Sequence, residues 1–256
     1  MYRVESPGHP AHYCFDTLSG VLHGVFTRRG GVSQGHWASL NVGHTVGDDP
    51  AAVAANEGRV FAAFGVSAAQ VATARQVHGA DVLRVAAHQA GATVGAADGL
   101  VTDVPGVALL MRVADCAPIL LHGPDRGVVG VAHAGWRGAL AGVAARTARV
   151  MIEDYGCDPR ALCAGIGPSI GPCCYEVGAE VYEPLAARWG PGVVRRVAGG
   201  GVHADLWEAN ACALREVGVE RIEVAALCTC CRREEFYSHR GDGGRTGRLA
   251  ALIGLP

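Results

Sequence analysis

Residues 114–138 read ADCAPILLHGPDRGVVGVAHAGWRG. Two short apolar runs are separated by a polar turn containing glycine, and each run touches a residue with metal-binding chemistry. Cys116 opens the first run and His133 closes the second. The runs predict core strands near 117–122 and 127–132, so a thiol and an imidazole at their ends call for an explanation. Working outward, further short strands are expected near 21–26, 71–75, 81–86, 107–112, 161–166 and 222–227, and helices near 138–154, 177–188 and 205–217. Asp49 followed by Pro50 predicts a helix start, a capping carboxylate and then an N1 proline, for residues 50–65. The order is mixed, without the regular alternation of a doubly wound sheet, which predicts an α+β class. No repeat, low-complexity linker or boundary divides the chain, so residues 1–256 are expected to form a single domain.

The composition is that of an ordinary globular protein: 50% hydrophobic, 18% charged and a formal net charge of −2. That balance argues against nucleic acid or a membrane as a main partner. The start, MYRVESPGHPAHYCFD, has no apolar export segment, and no run approaches the ~18 apolar residues of a membrane span. A cytoplasmic location is therefore expected, and the ten cysteines read as reduced thiols. All 22 basic residues are arginine. The absence of lysine excludes a Walker-type phosphate loop and a Schiff-base mechanism.

A third candidate lies upstream, in ARQVHGADVLRV, where His78 sits in a turn between two strand-like runs. His78, Cys116 and His133 all fall at strand–loop junctions, where a sheet can aim side chains at one point. Two imidazoles and a thiolate suit tetrahedral zinc and leave the open fourth position of a catalytic site. The spacings of 38 and 17 residues match no compact zinc motif, and a second reading stands beside the first. In it Cys116 is a nucleophile, His78 or His133 is its base, and Asp115 orients the imidazole. HAGWRGALAGVAARTARV adds an anion site: Gly135 and Gly138 allow close backbone approach, a helix start follows, and Arg137 is placed to grip phosphate or carboxylate. Arg28 and Arg29, in the TRRGG turn, are weaker candidates for the same pocket. Cys173, Cys174, Cys228, Cys230 and Cys231 read as free thiols, with a second metal site as the alternative. The Arg-rich tail from Cys231 is interleaved with acids and reads as a solvated or docked face.

Seven ordered segments carry a resemblance: TRRGGVSQGHWASLNVGHTVGDDP, RQVHGADV, ADGLVTD, ADCAPILL, AHAGWRG, GPSIGPCCYEV and CTCCRREEFYSHRGDGGRTGRLAALIGL. Together, over about residues 20–254, they resemble the YfiH-like family, also called laccase-domain, polyphenol oxidase or peptidoglycan editing factor. The resemblance implies a four-layer α/β/β/α fold with mixed β-sheets, and metal ligands at His78, Cys116 and His133. It further implies a zinc-dependent purine nucleoside enzyme, with copper possible as the metal. The implied reactions are phosphorolysis of adenosine, inosine, guanosine and methylthioadenosine, and deamination of adenosine, so the expected partners are a purine nucleoside and phosphate. Arg28, Asp115 and Arg137 are the expected substrate-binding residues. A copper-dependent polyphenol oxidase and a cysteine hydrolase editing peptidoglycan precursors are the alternatives; none of the eleven histidines makes the close His-X-His pair of a multicopper centre. Two departures touch the outer pocket: Thr45 stands where the family often has a histidine, with His44 one residue earlier, and Cys230 stands where an aromatic residue is common.

Overall fold

The computed structural model describes residues 1–197 and 200–256. Along the chain come β1 (Tyr2–Val4), β2 (His12–Cys14), β3 (Leu22–Phe26), α1 (Pro50–Ala62), β4 (Val71–Arg75), β5 (Val82–Arg84) and β6 (Thr93–Ala96). Next are β7 (Gly99–Thr102), β8 (Ala108–Val113), β9 (Ala117–Gly123), β10 (Val128–Ala134), α2 (Trp136–Ala141) and α3 (Val143–Tyr155). The rest comprises β11 (Cys163–Ile166), α4 (Ala179–Trp189), β12 (Val194–Arg196), β13 (Val202–Ala204), α5 (Leu206–Glu216), β14 (Arg221–Val224) and β15 (Leu249–Gly254). Seven strands form one sheet in the order β1-β2-β3-β15-β8-β4-β6, six form a second in the order β14-β11-β9-β10-β7-β5, and β12 and β13 form a small ribbon. Both large sheets are mixed. In the first, β4 runs parallel to β8 and β15 antiparallel to it; in the second, β9 and β10 are antiparallel while β5 and β7 are parallel.

The strands are apolar on both faces because both faces of each sheet are covered. Alternation assigns the layers. From the seven-stranded sheet, Leu109, Met111, Ala251 and Ile253 point inward to meet Leu120, Val129 and Val131 of the six-stranded sheet. Leu110 and Leu252 point outward and pack under Val60 and Phe61 of α1. On the far side, Ile119, Leu121, Ala132 and Ala134 pack under Val143, Ala144, Ala148 and Met151 of α3 and Ala211 and Leu214 of α5. The result is the expected four-layer α/β/β/α arrangement of class α+β. No helix among the described residues is long and apolar enough to cross a membrane.

The Asp49 cap is observed, its side chain accepting from the Ala51 N–H. The helix expected at 138–154 is two helices, α2 and α3, separated by Gly142 at φ +73°, a conformation that breaks the helical ladder. β15 lies at the centre of the seven-stranded sheet, yet its sequence LAALIG, poor in β-branched and aromatic residues, gives no strand signal. The long polar loop before α1 is tied down by Asn56, whose amide nitrogen donates to Ser33 Oγ and to the Ser39 and Asn41 carbonyls.

Topology places the site. Because β4 and β8 are parallel, both leave their sheet at the same end, and each then crosses to the other sheet, β4 through residues 76–81 and β8 through 114–116. The β9–β10 pair opens at that end too, with Ala117 opposite Ala134. Two crossovers and one strand terminus therefore meet.

Candidate metal centre

His78 sits on the first crossover, Cys116 on the second, and His133 one residue before the end of β10. One donor atom from each lies within 4.8 Å of the others. The His78 and His133 rings meet edge to face, with centroids 4.9 Å apart. Two of the turn residues have backbones that L-residues rarely adopt, His78 at φ +59° and Asp115 at φ +78°. Such strain survives only where the surroundings fix it. Here they do: the consecutive N–H groups of Val77, His78 and Gly79 all donate to the Asp98 carboxylate, at 3.1, 3.0 and 2.7 Å. Gly135 completes the cradle. It follows the β10 terminus, and a Cβ there would stand 2.9 Å from Cys116 Sγ and 3.3 Å from the His78 ring.

Sequence reasoning missed Asp98, although it lies in the ADGLVTD segment. It is fully buried and accepts from His133 Nδ1 at 2.8 Å. Burial opposes its charge, but the hydrogen bond and charge of His133 and the Gly79 and Val77 amides hold its carboxyl below the usual range. A carboxylate only accepts, so His133 keeps a proton on Nδ1, and Nε2 is the nitrogen that becomes a lone pair when the ring is neutral. A carboxylate behind a ligating imidazole is the usual support of a metal-bound histidine. The signal available was an acid immediately before a short buried strand, which is weak without the fold.

Cys116 and His133 are coupled. Burial works against the Cys116 thiolate, but the adjacent His133 charge and hydrogen bonds from His133 and His78 prevail and bring it down to about 6. Burial likewise opposes His133 as a cation, and the Cys116 charge with the Asp98 hydrogen bond raises it to about 9. Without metal the pair is thus a thiolate beside an imidazolium. The thiolate is ready to hold a cation, and His133 would join it on giving up its Nε2 proton.

The three residues line the floor of a cavity of about 700 Å³. Its walls carry five arginines, Arg75, Arg112, Arg137, Arg240 and Arg248, against the single carboxylate of Asp115. Arg137 lines it as expected, its guanidinium 4.2 Å from the Trp136 ring centroid. Asp115 also lines it, but its carboxylate accepts from Thr229 Oγ1 and from the Arg240 N–H, both at 2.6 Å. Asp115 therefore pins the β14–β15 connection at two points, and the acid on the imidazole is Asp98. Arg28 is not among the lining residues. Its guanidinium donates to the Ala38 and Arg233 carbonyls and lies 4.5 Å from the Tyr237 ring centroid. Gly138 serves packing: a Cβ there would meet the Gly79 and His133 carbonyls at 3.1 and 3.3 Å. The Arg-rich tail is docked, delivering His239, Arg240 and Arg248 to the cavity. His44 and Thr45, where the sequence departs from the family pattern, both line the wall.

The family described as "Multi-copper polyphenol oxidoreductase laccase" matches residues 22–256. A purine nucleoside phosphorylase of Deinococcus radiodurans is 41% identical over 92% of this chain and 90% of its own length. The purine nucleoside phosphorylase YlmD of Geobacillus stearothermophilus is 38% identical over 93% of this chain and 91% of its own. The crystal structure of YlmD superposes with a TM-score of 0.93 over 99% of this chain and 98% of that one, at 36% identity. That of Bacillus licheniformis YfiH superposes with a TM-score of 0.92 over 96% and 97%, at 33% identity.

Proposed function

This chain belongs to the family described as multi-copper polyphenol oxidoreductase laccase, and on that premise we propose that it is a zinc-dependent purine nucleoside phosphorylase. The single observation that carries this reading is the meeting of His78, Cys116 and His133 on the floor of an arginine-walled cavity. The relatives named purine nucleoside phosphorylase support it. Residues 1–256 act as one catalytic domain, and the substrates are adenosine, inosine, guanosine and methylthioadenosine with phosphate. Deamination of adenosine is a second reaction of the same site.

The donor set fits zinc: two imidazole nitrogens and a thiolate, with Gly135 leaving the space between Cys116 and His78 clear. When bound there, zinc supplies Lewis-acid polarisation of an oxygen and an acidified water. The chain's own residues do the rest. Asp98 fixes the His133 tautomer, and the strained turn at His78 presents the second imidazole. Arg137 and Arg75 offer phosphate a positively charged wall, while Ile170, Tyr175 and Leu206 offer the purine an apolar one. In phosphorolysis a phosphate oxygen bonds to ribose C1′ as the C1′–N9 bond breaks, the purine leaving with the bonding pair and taking up the proton that phosphate loses. Inosine should yield hypoxanthine only with phosphate present, and a chelator should abolish turnover; turnover that survives complete metal removal would refute the reading.

Copper is the other candidate at the same donors. Phenol oxidation by a multicopper route is disfavoured, because the metal-capable groups among the described residues contain only His78 and His133 as histidines. One observation favours a metal-free reading instead: Cys116, His133 and Asp98 are arranged as a nucleophile, base and orienting acid. That triad leaves His78 without a role, and loss of metal on removing His78 separates the two readings.

A further inference from the structure

The second cysteine group is more ordered than free thiols require. β11 and β14 are parallel neighbours, so the loops that follow them leave the sheet together. Pairing continues past the strands, with Ser169 bridging Cys228 and the Thr229 N–H donating to the Ser169 carbonyl at 3.0 Å. The Cys173–Cys174 pair on one loop is thereby set against Cys228 and Cys231, a C-x-x-C pair, on the other. The four sulfurs all lie within 4.8 Å of one another. Cys231 Sγ is 3.5 Å from Cys173 Sγ and 3.4 Å from Cys174 Sγ. A disulfide would need about 2.05 Å. Zinc–thiolate bonds of about 2.3 Å make a tetrahedron with edges of about 3.8 Å, near the observed spacing.

Two further observations point the same way. Cys173 and Cys231 are exposed, so they are not core filler. The Gly171 N–H donates to Cys228 Sγ at 3.3 Å, the kind of backbone support that steadies a metal-bound thiolate. Gly171 is confined to glycine, since a Cβ would stand 2.5 Å from the Trp207 ring and 3.2 Å from Cys228 Cβ.

We propose that Cys173, Cys174, Cys228 and Cys231 form a second metal centre, a four-thiolate site for zinc or a cation of similar size and charge. Binding breaks four S–H bonds, forms four metal–sulfur bonds and releases four protons, with no change of oxidation state. All four positions are filled by protein, so the site is structural. It clips together two loops that build the catalytic cavity. The first carries Ile170 and Tyr175 of the cavity wall, and the second carries Thr229, which holds Asp115 beside Cys116. Cys230, the fifth thiol of the segment, is outside the group.

Cobalt(II) is the probe, used under anaerobic, reducing conditions. His78→Ala/Cys116→Ser removes the other centre, and this variant should bind one equivalent of cobalt with an intense thiolate-to-metal charge-transfer band. Adding Cys173→Ser/Cys231→Ser should abolish both. A folded double variant that binds no cobalt, or binds it without that band, overturns the proposal. A second measurement needs no variant: in zinc-loaded wild-type protein the four thiols should resist iodoacetamide and become reactive on chelation. Their full labelling in zinc-loaded protein, or a mass two hydrogens lower per cysteine pair from disulfide formation, would equally overturn it. Failure of the three-residue centre would leave this protection intact, so the two claims fail separately.

Discussion

Asp98→Asn exchanges one acceptor oxygen of a fully buried group for an amide donor at nearly constant volume. In the native chain Oδ2 accepts from Val77 and Gly79, and Oδ1 accepts from His78 N–H and His133 Nδ1. Whichever way the new amide turns, two donors lose their acceptor. If nitrogen replaces Oδ2, the Val77 and Gly79 amides face an N–H, and at about 1–3 kcal/mol for each unsatisfied buried donor the cost is about 2–6 kcal/mol. If nitrogen replaces Oδ1, His133 must take the other tautomer, which turns a proton toward the metal. Metal affinity should fall about 10–100-fold, as for other changes behind a ligating histidine, or about 1.4–2.7 kcal/mol. Chelator competition measures the affinity, and urea unfolding of the metal-free protein measures the stability. A variant that binds metal within about twofold of wild type and unfolds at the same urea concentration would refute the assigned role of Asp98, since losing the support behind a ligating histidine costs about tenfold or more.

Cys116→Ser replaces a thiolate with a hydroxyl, so metal and activity should be lost together; stoichiometric zinc retained in an inactive variant would make Cys116 a nucleophile. Gly135→Ala puts a methyl 2.9 Å from Cys116 Sγ and should lower metal content while circular dichroism stays near wild type. In metal-free protein the alkylation rate at Cys116 should rise with pH through a midpoint of about 6 and level off above it, because the His133 charge and the hydrogen bonds from both imidazoles favour the thiolate. Cys14 and Cys157, pushed up to about 11 by burial, should stay unreactive until far higher pH. The same pair fixes a stability window. The depressed Cys116 value adds stability that is lost as pH falls through about 6, and the raised His133 value adds stability that is lost as pH rises through about 9. Metal-free stability should accordingly decline on both sides of that range in urea titrations. Arg137→Ala should raise KM for phosphate at least ~10-fold with a smaller change for inosine, as loss of a charged hydrogen-bonding partner would; unchanged phosphate KM would place the anion elsewhere.

The parts legible in sequence are those set by local pattern. Strand runs such as PILLHG and VVGVAHA, and the Asp49–Pro50 helix start, announce themselves through apolar continuity and capping chemistry. His78, Cys116 and His133 are legible because Cys and His at strand ends are chemically conspicuous, and the ordered motifs tie them together. Other parts depend on contacts distant in the chain. β15 is a central strand only because β3 and β8 flank it. Asp98 acquires its role from a turn 20 residues earlier and a strand end 35 residues later. Arg240 and Arg248 look like a charged face because nothing local tells that the tail folds back over the cavity. The cysteine pairs 173/174 and 228/231 meet only because β11 and β14 run side by side.

Zinc-edge anomalous diffraction tests the central claim most directly, on crystals of protein purified without added metal and shown to cleave inosine. The account predicts a peak bonded to one nitrogen of His78, one nitrogen of His133 and Cys116 Sγ, at about 2.0–2.3 Å from each. An active protein with no metal between these three side chains, or with any one of them turned into a separate part of the core, would contradict it.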